Sequence, residues 1–267
     1  MTTPDVPHRF EAEFEVPGTP EQVWRAIATA EGISSWMMPV DLDARLGGAL
    51  TFHMGPDADS HGRVTGFEPG RRFAFEEDWA ALVGRDGADV TPLMTEFLVE
   101  ARSGGTCVVR VVTSAFGTGA DWENEFWDEM NTGWTPMLDN LRLYLTHFPD
   151  QQATPLFAGA TFPAAPEAAV AAVRRDLGVE AIGDEVTAMG ARGRLERSLD
   201  RHFLLRVDSP VPGFLSFYSF AADGESGMHL QGYLFSDGAP GYVEREEAAW
   251  QAWLEGVATQ LASTGSP

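Results

Sequence analysis

The sequence contains no lysine: all 18 of its basic residues are arginine, set against 40 aspartates and glutamates. The net charge of −22 gives a surface that repels polyanions, so neither nucleic acid nor an anionic membrane is an expected partner. An arginine-only basic set is what a GC-rich genome produces, and it points to a bacterial source. Cysteine is almost as scarce. Cys107 stands alone, so no intrachain disulfide can form, and a reducing cytoplasm is the expected setting. No run of 18 apolar residues occurs, and Met1–Glu15 lacks the apolar core of a secretory leader. Also missing are a Walker-type glycine loop, a Gly-x-Ser-x-Gly elbow and a His-Glu-x-x-His helix, which argues against an NTPase or a common hydrolase.

What the chain does contain is a segment that occurs twice. Val16-Pro17-Gly18-Thr19-Pro20-Glu21-Gln22-Val23-Trp24-Arg25-Ala26-Ile27 returns as Phe162-Pro163-Ala164-Ala165-Pro166-Glu167-Ala168-Ala169-Val170-Ala171-Ala172-Val173, at a constant offset of 146 (Pro17 to Pro163). Each copy follows a strand-like run and opens a helix, and each half closes on a tryptophan-bearing helical stretch. A length of 267 residues suits two domains of about 130 residues each. We expect domains over 1–149 and 155–267, the second a degenerate copy acting as a packing partner or lid.

Alternation of Phe10, Ala12, Phe14 and Val16 with Glu11, Glu13 and Glu15 predicts a half-buried strand. Thr19 and Gln22 form a capping box for a helix from Pro20 to about Ala30, and a shorter helix is expected over Glu31–Met38. Strands are predicted over Ala49–Met54, His61–Phe67, Arg72–Glu77, Thr95–Ala101 and Thr106–Thr113, with a loop over 80–93. A long helix, about Asp121–His147, has Asp121 as its expected cap and Pro136 inside it. The second half repeats this order: a strand (Leu156–Phe162), a helix (Pro166–Leu177), five strands, and a final helix over about Tyr242–Leu261.

These elements give an α+β fold of two tandem helix-grip domains, each a curved antiparallel sheet around a long C-terminal helix. The residues narrow this further: Pro20-Glu21-Gln22-Val23-Trp24, Trp36, Gly47-Gly48, Gly62-Arg63-Val64, Pro69-Gly70-Arg71-Arg72-Phe73, Trp79, Gly105-Thr106-Cys107-Val108 and Gly133-Trp134. With these marks the first half resembles the SRPBCC (START-like) superfamily, in the branch named after the activator of the heat-shock protein 90 ATPase. The resemblance implies a cavity between sheet and helix. Family members bind apolar or amphipathic small molecules, some are cyclases, aromatases or hydrolases, and the founding branch stimulates a chaperone ATPase. The family has no shared catalytic motif, so function rests on the site itself.

The aromatic and methionine residues carry the functional signal. Trp36, Met38, Met54, Trp79, Phe116, Trp122, Trp127, Met130 and Trp134 are the candidate ligand-binding residues, because rigid aromatics with adaptable thioethers suit an apolar pocket. Filling the core is the alternative role for each. Glu76 and His53 are candidate acid–base groups. Glu76 alternates with Glu77, and if it points inward, burial raises its pKa; otherwise it is a solvated edge. Glu96 and Arg110 are expected to pair across neighbouring strands. Cys107 reads as an inert packed thiol. Asp57-Ala58-Asp59-Ser60-His61-Gly62 with Glu68 imitates a calcium loop, but Pro69-Gly70 forbids the exiting helix. His53 and His61 lack a third ligand, so no metal site is expected, and no motif calls for a cofactor. The leading expectation is a cytoplasmic protein that binds a hydrophobic small molecule in its first domain. The alternatives are a cyclase or aromatase using the same cavity and a chaperone-binding module.

Overall fold

The computed structural model describes residues 6–54, 59–82, 84–85, 90–222 and 225–264. The chain forms two compact units, Met1–Gln152 and Ala153–Pro267. The first runs β1 (Val6–Pro17), α1 (Pro20–Ala28), α2 (Ala30–Ile33), β2 (Val40–Leu42), β3 (Ala49–His53), β4 (Asp59–Glu68), β5 (Arg72–Glu77), α3 (Trp79–Leu82), β6 (Leu93–Arg102), β7 (Thr106–Gly117) and α4 (Asp121–His147). The second runs β8 (Thr154–Phe162), α5 (Pro166–Leu177), β9 (Glu185–Ala188), β10 (Ala191–Ser198), β11 (His202–Ser209), β12 (Gly213–Ala222), β13 (Glu225–Leu234) and α6 (Ala239–Thr264).

Within the described residues the first sheet has the order β1-β7-β6-β5-β4-β3-β2, and the second β8-β13-β12-β11-β10-β9. In both, the first strand pairs antiparallel with the last, so the helix that follows the last strand returns over the sheet. This is the helix-grip plan twice, an α+β fold in each unit. Among the described residues, no helix is long and apolar enough to cross a membrane.

The repeated segment explains itself locally. Thr19 caps α1: the Gln22 amide donates to its hydroxyl at 3.3 Å, and its own amide donates to Gln22 Oε1 at 3.0 Å. The box turns Val23, Ala26 and Ile27 into the core. In the second copy Ala165 occupies the cap position and offers no side-chain acceptor. There the helix is closed from its other end by Gly178, whose left-handed φ of 70° lets it bond back to Arg174 and Arg175.

Several expectations need correction. The helix expected over Glu31–Met38 is one turn, because the Ser35 hydroxyl donates to the Glu31 carbonyl and Ser34 Oγ accepts from the Val40 amide, binding groups that a longer helix would use. Val40–Leu42 is a strand that the reading passed over, and Trp79–Leu82 is a helical turn rather than loop. Asp121 does not cap α4. Ala120 holds that position, and Glu123 reaches back instead. Glu96 does not pair with Arg110: their strands register Glu96 with Val112, so Glu96 pairs with Arg72 and Arg110 with Glu11. Asp57 and Ala58 of the calcium-like motif lie outside the described residues, and its remainder belongs to β4.

Both long helices seal an edge strand. Arg142 of α4 donates to the Glu15 carbonyl of β1. From α6, Gln251 takes both the amide and the carbonyl of Gly159 on β8, while Glu247 accepts from the Phe157 amide. Such blocking removes backbone groups that a foreign strand would pair with.

Candidate functional site

Alternation along the first sheet sends His8 and Phe10 of β1, Thr113 and Ala115 of β7, Leu93, Thr95 and Phe97 of β6, and Phe75 and Glu77 of β5 to one face. α4 lies over this inner face. Trp134 stacks on Phe10, with ring centroids 6.4 Å apart and planes 7° from parallel, and meets Phe97 edge-on at 6.0 Å. Two turns earlier Trp127 covers His8 at 5.0 Å. Trp79 closes the end, touching His8, Trp122, Phe126 and Trp127 at 5.2–6.4 Å.

Four of the nine sequence-derived candidates, Trp79, Trp122, Trp127 and Met130, thus converge in one cluster. Trp134 joins through Phe10, and Trp36 approaches from the far side of Phe97 at 6.3 Å. Trp36 and Trp79 have satisfied indoles, donating to the Ala26 carbonyl at 2.8 Å and the Thr91 carbonyl at 2.6 Å. Met38 and Met54 are half-buried and stand apart from the cluster. Phe116 faces outward with 46% of its surface exposed, because the phase that buries Thr113 and Ala115 turns it away.

The acid–base candidates also separate. Glu76 points outward and accepts from Arg63 at 2.6 Å. His53 lies on the outside between two carboxylates, its Nε2 3.1 Å from Asp41 and its Nδ1 3.0 Å from Asp59, which raise its pKa. His61 contacts Thr51 instead. Among the described residues no three His, Cys, Asp or Glu side chains converge as metal ligands. Cys107 is buried, donates to the Gly18 carbonyl at 3.5 Å, and has its pKa pushed up by burial. A thiol in that state is a poor nucleophile.

Three groups that the sequence reading missed occupy the interior. Glu77 is buried on the inner face, and burial pushes its pKa up to about 7, offset in part by the Ser60 hydroxyl. The alternation of Phe73 and Phe75 already carries the signal that puts Glu77 inside. Glu123, fully buried, accepts from the Thr118 amide at 2.9 Å, the Thr118 hydroxyl at 2.5 Å and the Gly119 amide at 2.6 Å. Burial raises its pKa, but these hydrogen bonds outweigh that and leave it lowered. His8 Nε2 sits 3.9 Å from Glu123, beyond hydrogen-bond reach.

The strip between α4 and the sheet holds four buried polar atoms that have no hydrogen-bond partner: His8 Nε2, Thr113 Oγ1, Asn131 Oδ1 and Trp134 Nε1. Asn131 lies on the helical face that also carries Trp127 and Trp134. Buried polar atoms are normally paired, so a set of four lining one aromatic strip marks a place where something else can supply the bonds. The corresponding region of the second unit is tightly filled. Phe203 stacks on Phe217 at 4.4 Å, Trp250 packs on Phe217 at 6.4 Å, and a remnant cavity beside Trp250 measures about 10 Å³, near the size of one water.

Among solved structures, a protein from Mesorhizobium loti is 20% identical over 52% of this chain and 98% of its own, with a TM-score of 0.45. DynU16, from the dynemicin biosynthetic locus, is 14% identical over 96% of this chain and 97% of its own, with a TM-score of 0.44. The di-domain ARO/CYC BexL from the BE-7585A biosynthetic pathway is 13% identical over 97% of this chain and 99% of its own, with a TM-score of 0.43. No curated protein matches the chain. Residues 17–146 match the family model described as Activator of Hsp90 ATPase homolog 1-like protein, and they span α1 through α4. The first domain therefore belongs to the Activator of Hsp90 ATPase homolog 1-like family.

Proposed function

We propose that the first domain binds a hydrophobic or amphipathic small molecule between α4 and the inner face of its sheet. The observation that carries this reading is the group of four unpartnered polar atoms within an aromatic wall. Rings of Phe10, Trp79, Trp127 and Trp134 supply apolar contact, and the polar atoms fix orientation. Trp134 offers a donor only, Asn131 Oδ1 an acceptor only, and Thr113 either. The binding domain sits in a cytoplasmic bacterial protein whose second domain has given up its own room.

Native mass spectrometry of the freshly purified full chain tests this. The expected result is a reproducible small-molecule adduct that Trp134→Ala releases. A chain that is ligand-free from every growth condition, and that takes up no apolar probe, contradicts it.

Glu77 favours a second reading. A buried carboxyl that titrates near neutrality can give and take protons, so the same site would serve a cyclase- or aromatase-type reaction that works by orientation and one acid–base group. A chaperone-activating role, the sense of the family description, ranks below both. With a net charge of −22 it needs a strongly basic partner surface.

A further inference from the structure

Charge on the inner face of the first sheet is distributed unevenly. All ten arginines of the first domain point outward; the least exposed, Arg72, keeps 32% of its side chain in solvent and pairs with Glu96. The inner face nonetheless carries Glu77, 7% exposed, and Glu123, at the start of α4 beside His8, is fully buried. No described cation reaches Glu77 from the strands on either side. Gly62 lies opposite it on β4, Leu93 opposite it on β6, and Ser60 is the nearest polar side chain. Among the described residues, the other buried ionisable groups of the first domain are His8, Cys107, Glu123 and Tyr144. His8, Ala115, Leu93 and Glu77 lie side by side on β1, β7, β6 and β5, which separates His8 from Glu77 by three strand spacings, roughly 14 Å.

The geometry points to a site selective for uncharged, flat molecules bearing a carbonyl oxygen, with Glu77 as the discriminating residue that donates its carboxyl proton to that oxygen and turns anions away. This rests on the small-molecule reading above and adds the ligand class to it. A buried carboxyl without a cation is costly when ionised, so its neutral form dominates below neutrality and presents an O–H to the interior. Once ionised it can only accept, and a carbonyl loses its partner. The buried carboxylate of Glu123, its pKa lowered by its hydrogen bonds, adds negative charge to this side of the domain, with no inward arginine to compensate. A Cβ at position 62 would lie 2.0 Å from the Glu76 carbonyl oxygen, so the β4 neighbour of Glu77 is a glycine, which offers the carboxyl no side-chain partner.

Three bicyclic probes separate the possibilities on the full chain: naphthalene, 2-acetylnaphthalene and 2-naphthoate, the last two nearly isosteric but ketone against carboxylate. Binding is read by quenching of tryptophan fluorescence. We expect 2-acetylnaphthalene to bind at least about tenfold more tightly than 2-naphthoate at pH 6. Its dissociation constant should rise about tenfold between pH 6 and pH 8, as the protonated fraction of Glu77 falls. Glu77→Gln keeps a donor of the same shape and should flatten that profile. Infrared spectroscopy of the wild-type chain gives an independent readout that needs no variant. The carboxylic C=O band should be present at pH 6, lost by pH 8, and shifted by the ketone but not by naphthalene. Equal affinity for ketone and carboxylate, or a pH profile that survives in Glu77→Gln, overturns the assignment while leaving the binding reading intact. If none of the three probes binds, the binding reading falls and the ligand class with it.

Discussion

Trp134 lies parallel to Phe10, 6.4 Å away, with its indole N–H buried and unpaired. The two features make opposite demands. The ring contact stabilises the domain, whereas an unsatisfied donor costs about 1–3 kcal/mol. Trp134→Phe keeps the ring contact and deletes the donor, so unfolding in urea should change by no more than about 1 kcal/mol. Trp134→Ala should cost about 3–5 kcal/mol through the cavity it leaves. Equal losses for both substitutions would show that the N–H has a partner in the free protein.

Glu77 gives the first domain a pH dependence of defined sign. Its folded pKa stands at about 7 against an ordinary 4.5, so the folded state holds its proton to higher pH than the unfolded chain does. Stability therefore falls as pH rises from about 4.5 to about 7, by on the order of 3 kcal/mol, and is flat above. The difference in unfolding free energy between wild type and Glu77→Gln, followed from pH 5 to 8, should grow with pH to the disadvantage of the wild type. A constant difference would place Glu77 in contact with solvent or a cation.

The second domain should respond to pH in the opposite sense. His202 is buried, with Nε2 3.1 Å from Ser216 Oγ, and burial first, then Arg197, brings its pKa down to about 3. Its neutral form is required in the fold, so the contribution is intact above about 6.5 and is lost as pH falls toward 3, by on the order of 5 kcal/mol. His202→Gln should make the unfolding of that domain less sensitive to acid, as read by hydrogen exchange in peptides from β11 and β12 at pH 4 and pH 7.

Glu123 is held by three donors, and Gly117 makes room for it. A Cβ at position 117 would lie 2.3 Å from Glu123 Oε2. Gly117→Ala should push the carboxylate off the Thr118 and Gly119 donors and cost about 1–3 kcal/mol. Glu123→Gln should cost a similar amount, because both of its oxygens accept hydrogen bonds and an amide can offer only one oxygen. Thermal unfolding of the two variants checks this. Gly117→Ala behaving as wild type would mean that the carboxylate relocates freely.

The helices and the tandem plan were legible in the sequence, because their signals are local. Thr19 and Gln22 form their box within four residues, and Pro166 opens α5 as Pro20 opens α1. The interior polar groups were harder to place. Alternation separates Glu76 from Glu77, but only the phase set by Phe73 and Phe75 says which is inside. The partner of Glu96 depends on the register of three strands, and a bulge between Val64 and Gly66 in the neighbouring β4–β5 pair shows how far that register departs from simple counting. Phe116 is outward because β7 continues past the expected Thr113 to Gly117, and the strand's alternation turns it away from the helix. Glu123 folds back onto Thr118 and Gly119, ahead of the helix, a contact that lies outside the capping patterns a sequence offers. His8 lies two residues upstream of Phe10, where the alternation begins, on a strand that starts at Val6.

Cys107 lends the molecule a built-in clock. It sits under the junction of β1 and β7, tied to the Gly18 carbonyl, and is the sole thiol. A maleimide can reach it only when that seam unzips, so its alkylation rate times the opening of the grip itself. Occupancy of the interior by a guest should slow that rate without any engineered label.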